Sequence, residues 1–203
     1  MIDFIITGTG RSTTKYTAEV LTAAGLPCGH EHACSSWMDD YSDDQVWRDA
    51  PNGVGESSWQ AAPFTDAMQA EGVKVVHLIR HPADVASSMV GNNMLTGELL
   101  PWHKFIRAHL GDRPWRLHPH DRALQFWIDW NLLVKTPDMR WTAPIGGGEI
   151  LDLAHLLGRR ADLSVIESVS KQSNHWREVE RLKREDFTRV IWDEAMDLWR
   201  SYF

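Results

Sequence analysis

The chain has 203 residues, 43% of them hydrophobic and 24% charged, and a formal net charge of −7. These proportions suit one soluble globular domain and exclude a disordered, collagen-like or coiled-coil chain. The acidic balance argues against a broad nucleic-acid footprint, which needs a basic face, yet leaves room for a small anionic ligand held by local cations.

The elements follow in order. Ile2 to Thr7 reads as a short apolar strand and Gly8 to Thr13 as a turn-rich loop. Thr14 to Ala24 reads as a helix, with Tyr16, Val20 and Ala24 at four-residue spacing and Gly25 as its stop. Cys28 to about Pro51 is polar and irregular, with an acidic run at Asp39, Asp40, Asp43 and Asp44. A short strand is expected over Glu56 to Gln60, a helix over Thr65 to Ala70, and a nearly all-apolar strand over Val73 to Ile79, as in a buried parallel sheet. Helices are expected over Asp84 to Val90, Trp102 to Leu110 and Arg122 to Lys135. The last of these carries Ala123, Trp127, Trp130 and Val134 along one stripe. Met139 to Thr142 reads as a strand, Gly146 to Gly148 as a flexible connection, and Ile150 to Leu157 and Phe187 to Tyr202 as helices.

No run of eighteen apolar residues occurs, so no transmembrane helix is expected. Met1 to Ile6 has no basic leader segment, so a cytoplasmic location is expected. In that reducing setting Cys28 and Cys34, the two cysteines, are expected as thiols rather than a disulfide.

The first candidate site is Gly8-x-Gly10-Arg11-Ser12-Thr13-Thr14-Lys15, between a strand and a helix. Such a loop presents backbone N–H groups at a helix N-terminus, where the helix dipole favours an anion. Arg11 and Lys15 add charge, and Ser12, Thr13 and Thr14 add hydroxyls. The ATP-type loop G-x-x-x-x-G-K-[ST] would need glycine where Thr13 stands and lysine where Thr14 stands, which disfavours magnesium-ATP chemistry. A glycine turn without a ligand is the plainer alternative.

The second is Arg80-His81-Pro82-Ala83-Asp84, with Ser88 further along the following helix. It follows the second apolar strand, and open α/β sheets bind ligands at the carboxyl ends of their strands. Arg80 is suited to bidentate phosphate recognition. The alternative is an ion pair between Arg80 and Asp84.

Together the two motifs resemble those of the bacterial-type sulfotransferase family, which binds 3'-phosphoadenosine 5'-phosphosulfate (PAPS). That family's first motif is often G-x-G-R-S-G-T-T and its second R-x-P-x-D-x-x-x-S. Gly29-His30-Glu31, Ser36-Trp37 and Trp127-x-x-Trp130-Asn131 are also similar to bacterial members. Thr13 replaces the usual glycine, and Lys15 stands where a second threonine is common. The resemblance implies an α/β fold of the P-loop NTPase-like, three-layer kind, with a short central parallel sheet flanked by helices in one domain spanning residues 1–203. It implies that Gly8, Gly10, Arg11, Ser12, Thr13, Thr14 and Lys15 hold the 5' end of PAPS. Arg80 and Ser88 would hold the 3'-phosphate, and Arg11 and Lys15 would take part in transfer. The product would be 3'-phosphoadenosine 5'-phosphate (PAP), and no metal is required.

The base must be a carboxylate or imidazole facing the loop. The resemblance suggests Glu31; His30 and His32 are the other candidates, and a solvated polar loop is the bland reading. Cys28, His30, His32 and Cys34 also invite a zinc reading. Their alternate spacing spans roughly 20 Å when extended, too far for four ligands about 2 Å from one ion. Trp127 and Trp130 read as core, with a ligand-pocket wall as the sharper option, and Trp37 and Trp59 are similar cases. Lys171, Ser173 and Asn174 form either a late loop over the nucleotide or a solvated loop, and Arg181 to Arg184 a solvated helix face. The expected partner is a small-molecule acceptor, neutral or cationic, with no nucleic acid and no membrane. A small-molecule kinase and a non-catalytic nucleotide-binding module are the competing functions.

Overall fold

The computed structural model describes residues 1–33, 46–48, 51–95, 101–173 and 180–203. Cys34, Ser36, Trp37, the acidic run at 39–44 and Asn174 lie outside the described residues, and with them part of the disulfide and zinc readings. Among the described residues a five-stranded parallel sheet organises the chain. In sequence order its strands are β1 (Phe4–Thr7), β2 (Cys28–His30), β3 (Gly55–Ser57), β4 (Lys74–Ile79) and β5 (Met139–Thr142), in the spatial order β2-β3-β1-β4-β5. Phe4 lies level with Gly55 on one side and Lys74 on the other, and Thr7 with His77. The helices are α1 (Thr14–Ala23), α2 (Thr65–Ala70), α3 (Pro82–Gly91), α4 (Pro101–Leu110), α5 (Pro119–Asn131), α6 (Gly147–Leu156), α7 (Ile166–Ser173) and α8 (Arg189–Ser201).

Both sheet faces are covered, which is why β1 and β4 read as apolar runs rather than alternating ones. Phe4, Ile6, Val76 and Leu78 pack with Tyr16, Val20 and Leu21 of α1 and Ile150 and Leu153 of α6. Ile5, Val75 and Ile79 face the other way, toward Val85 and Met89 of α3 and Leu124, Trp127 and Ile128 of α5. This is a three-layer α/β fold, a central parallel sheet flanked by helices on both faces. Strand order reverses about β1, with β3 on one side and β4 on the other, so the carboxyl end of β1 opens on a crevice.

Several expectations are corrected. The segment after Cys28 is not wholly irregular, because Cys28–His30 forms the edge strand β2. It is three residues long and half-buried, so it carries no apolar run to read. The strand expected over Glu56–Gln60 sits earlier, at Gly55–Ser57, and Trp59–Phe64 is a 3-10 helix capped by Ser58, whose hydroxyl accepts from Gln60 N at 3.2 Å. α5 runs Pro119–Asn131 rather than 122–135, with proline at its first turn where no N–H is needed. Gly147 and Gly148 are not a flexible connection but open α6, where the Glu149 carboxylate accepts from Gly146 N at 3.0 Å. α7 was not expected, and residues 181–183 are not helical.

Candidate functional site

Close packing fixes the loop after β1. A Cβ on Gly8 would lie 2.0 Å from the Leu78 carbonyl oxygen, so only glycine lets β1 leave the sheet beside β4. A Cβ on Gly10 would meet Trp59 and Met89 at ordinary contact distances. Thr9 Oγ1 and Ser12 Oγ share a hydrogen bond of 3.0 Å, and Ser12 N donates to Thr9 O at 3.2 Å. These bonds turn the loop through two left-handed residues, Arg11 (φ 70°) and Thr13 (φ 66°). Thr13 therefore adopts a conformation that glycine favours, and its hydroxyl bonds Ser12 O at 2.5 Å. No side chain of Thr13 caps α1. Its first N–H groups thus face the loop without a capping side chain at the positive end of the helix dipole.

The second motif meets this loop. Arg80 Nη1 donates to the Arg11 carbonyl at 2.9 Å, and Arg11 Nε donates to Ser88 Oγ at 2.9 Å. Arg11, Arg80 and Ser88 therefore stand together at the carboxyl ends of β1 and β4. Asp84, the alternative partner for Arg80, receives Arg181 Nε at 2.9 Å. The same late segment donates Leu182 N to Ser87 Oγ at 2.8 Å. Burial pulls the Arg80 guanidinium below its ordinary value. Asp84 opposes this, while Arg11 and Arg181 add to it by like-charge repulsion. Burial lowers Arg11 as well. Three guanidinium groups crowded this way gain if an anion enters among them.

Arg181 is solvent-exposed, as expected, but on a non-helical segment, and its pair with Asp84 brings it beside this cluster. The only local hint was the carboxylate of Asp84, whose partner lies far along the chain. Lys171 and Ser173 fall in α7.

The candidate base lies on the other flank of the loop. Thr14 Oγ1 and His30 Nε2 share a 3.1 Å hydrogen bond, and His30 Nε2 is 3.7 Å from Glu31 Oε1. Burial raises the Glu31 carboxyl above its ordinary value. Burial lowers His30, with Lys15 and His32 adding to the effect and Glu19 opposing it. Lys15 is exposed on this flank, its Nζ 3.9 Å from Glu19. Glu56, which the sequence reading passed over, is 2% exposed and sits on β3 beneath this turn.

Trp127 and Trp130 are fully buried core residues that also bind backbone. Trp127 Nε1 donates to Arg80 O at 3.0 Å and Trp130 Nε1 to Trp59 O at 2.9 Å. The indoles thus pin the chain where β4 and β3 end. Trp59 packs in the same aromatic core, its ring 5.2 Å from that of Trp130. Among the described residues no His, Cys, Asp or Glu group has the arrangement of a metal site, and no helix is long and apolar enough to cross a membrane.

No protein-family model and no curated protein matches the chain. Among solved structures it is similar to a sulfotransferase from Alicyclobacillus acidocaldarius, at 15% identity and a TM-score of 0.41 over 81% of this chain and 85% of that one. It is also similar to retinol dehydratase in complex with androsterone and the inactive cofactor PAP, at 13% identity and a TM-score of 0.46 over 98% of this chain and 80% of that one.

Proposed function

We propose that the chain is a sulfotransferase that moves a sulfuryl group from PAPS to a hydroxyl or amine of a small-molecule acceptor. The observation that carries this reading is the meeting of the two motifs through the Arg80–Arg11 and Arg11–Ser88 hydrogen bonds. A donor with phosphates at both ends of a nucleoside needs two anion sites a short way apart. The uncapped start of α1 supplies one and the Arg80–Ser88 group the other. The cations there are half-buried, which strengthens their hold on an anion.

In this reading Gly8, Gly10, Ser12 and Thr13 shape the loop, and the N–H groups at Thr14 and Lys15 bind the 5'-phosphosulfate. Arg11 lies between the two anion sites. Arg80 and Ser88 bind the 3'-phosphate, and Arg181, paired with Asp84, adds positive charge beside Arg80. The acceptor lies on the Glu31 side. Its O–H or N–H proton passes to the Glu31 carboxylate, the freed lone pair bonds to sulfur, and the sulfur–oxygen bond to the 5'-phosphate breaks. The resulting charge on PAP is held by the loop N–H groups and Arg11. Burial raises the proton affinity of Glu31, which suits a base working near neutral pH. Lys15, exposed beside His30, exchanges its pairing with Glu19 for the incoming sulfuryl oxygens.

Calorimetric titration with PAP, beside ATP with magnesium, tests the reading. PAP should bind without a metal, and Arg80→Ala should weaken it by about tenfold to a hundredfold, as expected for one charge-assisted phosphate contact. Glu31→Gln should abolish sulfate transfer to an acceptor panel while PAP still binds. Magnesium-dependent ATP binding with no response to PAP would overturn the reading in favour of a kinase.

A further inference from the structure

Glu56 is the one carboxylate of β3, and it lies within the sheet rather than at the surface. Its Oε1 accepts two backbone N–H groups of the following turn, from His32 at 2.6 Å and Ala33 at 3.3 Å. On the neighbouring strand Gly29 stands level with it. A Cβ there would fall 2.2 Å from Glu56 Oε2, so the glycine makes room for the carboxylate. Between Gly29 and the two bonded N–H groups sits Glu31, in a left-handed conformation (φ 56°), with its N–H donating to Ser57 O at 3.3 Å. A non-glycine residue holds such a conformation only where its surroundings over-determine it. Here three hydrogen bonds from β3, two of them to Glu56, do so.

We infer that Glu56 is a positioning residue for the base. Its carboxylate clamps the 31–33 turn so that Glu31 is presented beside His30 and the start of α1. The inference rests on Glu31 acting as the base. The like charge of Glu31 adds to burial in raising Glu56, and among the described residues the other titratable groups facing Glu56 are His32 on the turn and Cys28 on β2. Glu56 therefore acts on Glu31 through the backbone, and substitution separates this clamp from the charge of the carboxylate.

Three variants test this, each measured for kcat against pH, PAP affinity by calorimetry, and melting temperature. Glu56→Gln keeps an acceptor for both N–H groups and removes the charge. It should retain most of kcat and leave the acidic limb of the profile in place, because the clamp is kept and burial is what raises Glu31. Glu56→Ala removes the clamp and should lower kcat by roughly ten- to a hundredfold with PAP affinity unchanged, since the Arg80 group is untouched. Gly29→Ala, which pushes the carboxylate from the opposite side, should lower kcat in the same way and decides the matter if Glu56→Ala does not fold. Unchanged kcat in Glu56→Ala and Gly29→Ala, or a loss in Glu56→Gln as large as in Glu56→Ala, with Glu31→Gln inactive, would overturn the inference and leave Glu31 as base. A fall in PAP affinity parallel to kcat would also overturn it, in favour of a general structural role. If Glu31→Gln retains transfer, the base assignment fails and the inference with it.

Discussion

Thr13 shows how one side chain sits against its backbone. Its φ of 66° puts a β-branched residue in the left-handed region, at a cost of about 1–2 kcal/mol. The loop tolerates this because the Thr13 hydroxyl bonds Ser12 O and Thr17 N closes on Thr13 O at 3.0 Å. Thr13→Ala and Thr13→Gly both delete the hydroxyl and differ only in the Cβ. The glycine variant should therefore be the more stable by about 1 kcal/mol in urea unfolding, less whatever its freer unfolded chain takes back. Equal midpoints would mean that the Cβ carries no strain here. The replacement of glycine was legible in the sequence. That the loop keeps the glycine conformation regardless was not, because the hydrogen bonds that hold it form only after the loop has closed.

At the scale of elements, α5 does more than cover the sheet. It packs between α3 and α8 and sends two indole N–H groups to the ends of two strands. Trp127→Phe removes the indole donor to the Arg80 carbonyl. The expected loss is about 1–3 kcal/mol of stability, together with weaker PAP binding as Arg80 loosens. Trp130→Phe removes the matching bond at Trp59 and should cost similar stability with PAP affinity unchanged. Equal PAP affinities for the two variants would refute the special link to Arg80. The apolar stripe of this helix was readable from its spacing, but its limits were not. Pro119 starts it and Leu132 ends it, and tertiary contacts place Val134 in the core beyond the helix. β2 was unreadable for the opposite reason. An edge strand of three half-buried residues buries too little apolar side chain to leave a pattern.

Across the whole molecule, the buried polar groups set the response to pH. His77 is fully buried on β4, with Nε2 2.9 Å from Asn131 Oδ1. Asn131 Nδ2 donates to Trp127 O at 2.8 Å, so its Oδ1 faces the ring and His77 carries its proton on Nε2. Nδ1 has no hydrogen-bond partner among the described residues. Burial holds the imidazole down at about 4, with Arg140 adding to the effect and the Asn131 bond opposing it. A folded value below the unfolded one means that the unfolded chain takes up the proton first as pH falls. The stability contributed by neutral His77 is therefore complete above about pH 6.5 and lost progressively toward pH 4. Wild type should lose about 2 kcal/mol relative to His77→Gln between pH 7 and pH 5. A stability difference that stays flat over that range would refute it. Comparison with the variant removes the parallel contributions of His30, His81 and His109 and the opposing ones of Glu31 and Glu56.

The sequence by itself determined the strand–loop–helix opening, the apolar strands β1 and β4 and the two phosphate-type motifs, because each is written in neighbouring residues and in the period of their apolar side chains. Only the tertiary structure decided that Arg80 would reach the Arg11 carbonyl, that Asp84 would be taken by Arg181, and that Glu56 would hold the turn bearing Glu31. Those contacts join segments distant along the chain, and they exist because strand order sets β1 between β3 and β4. Local pattern carries no information about which strands become neighbours, and the site is made where they do.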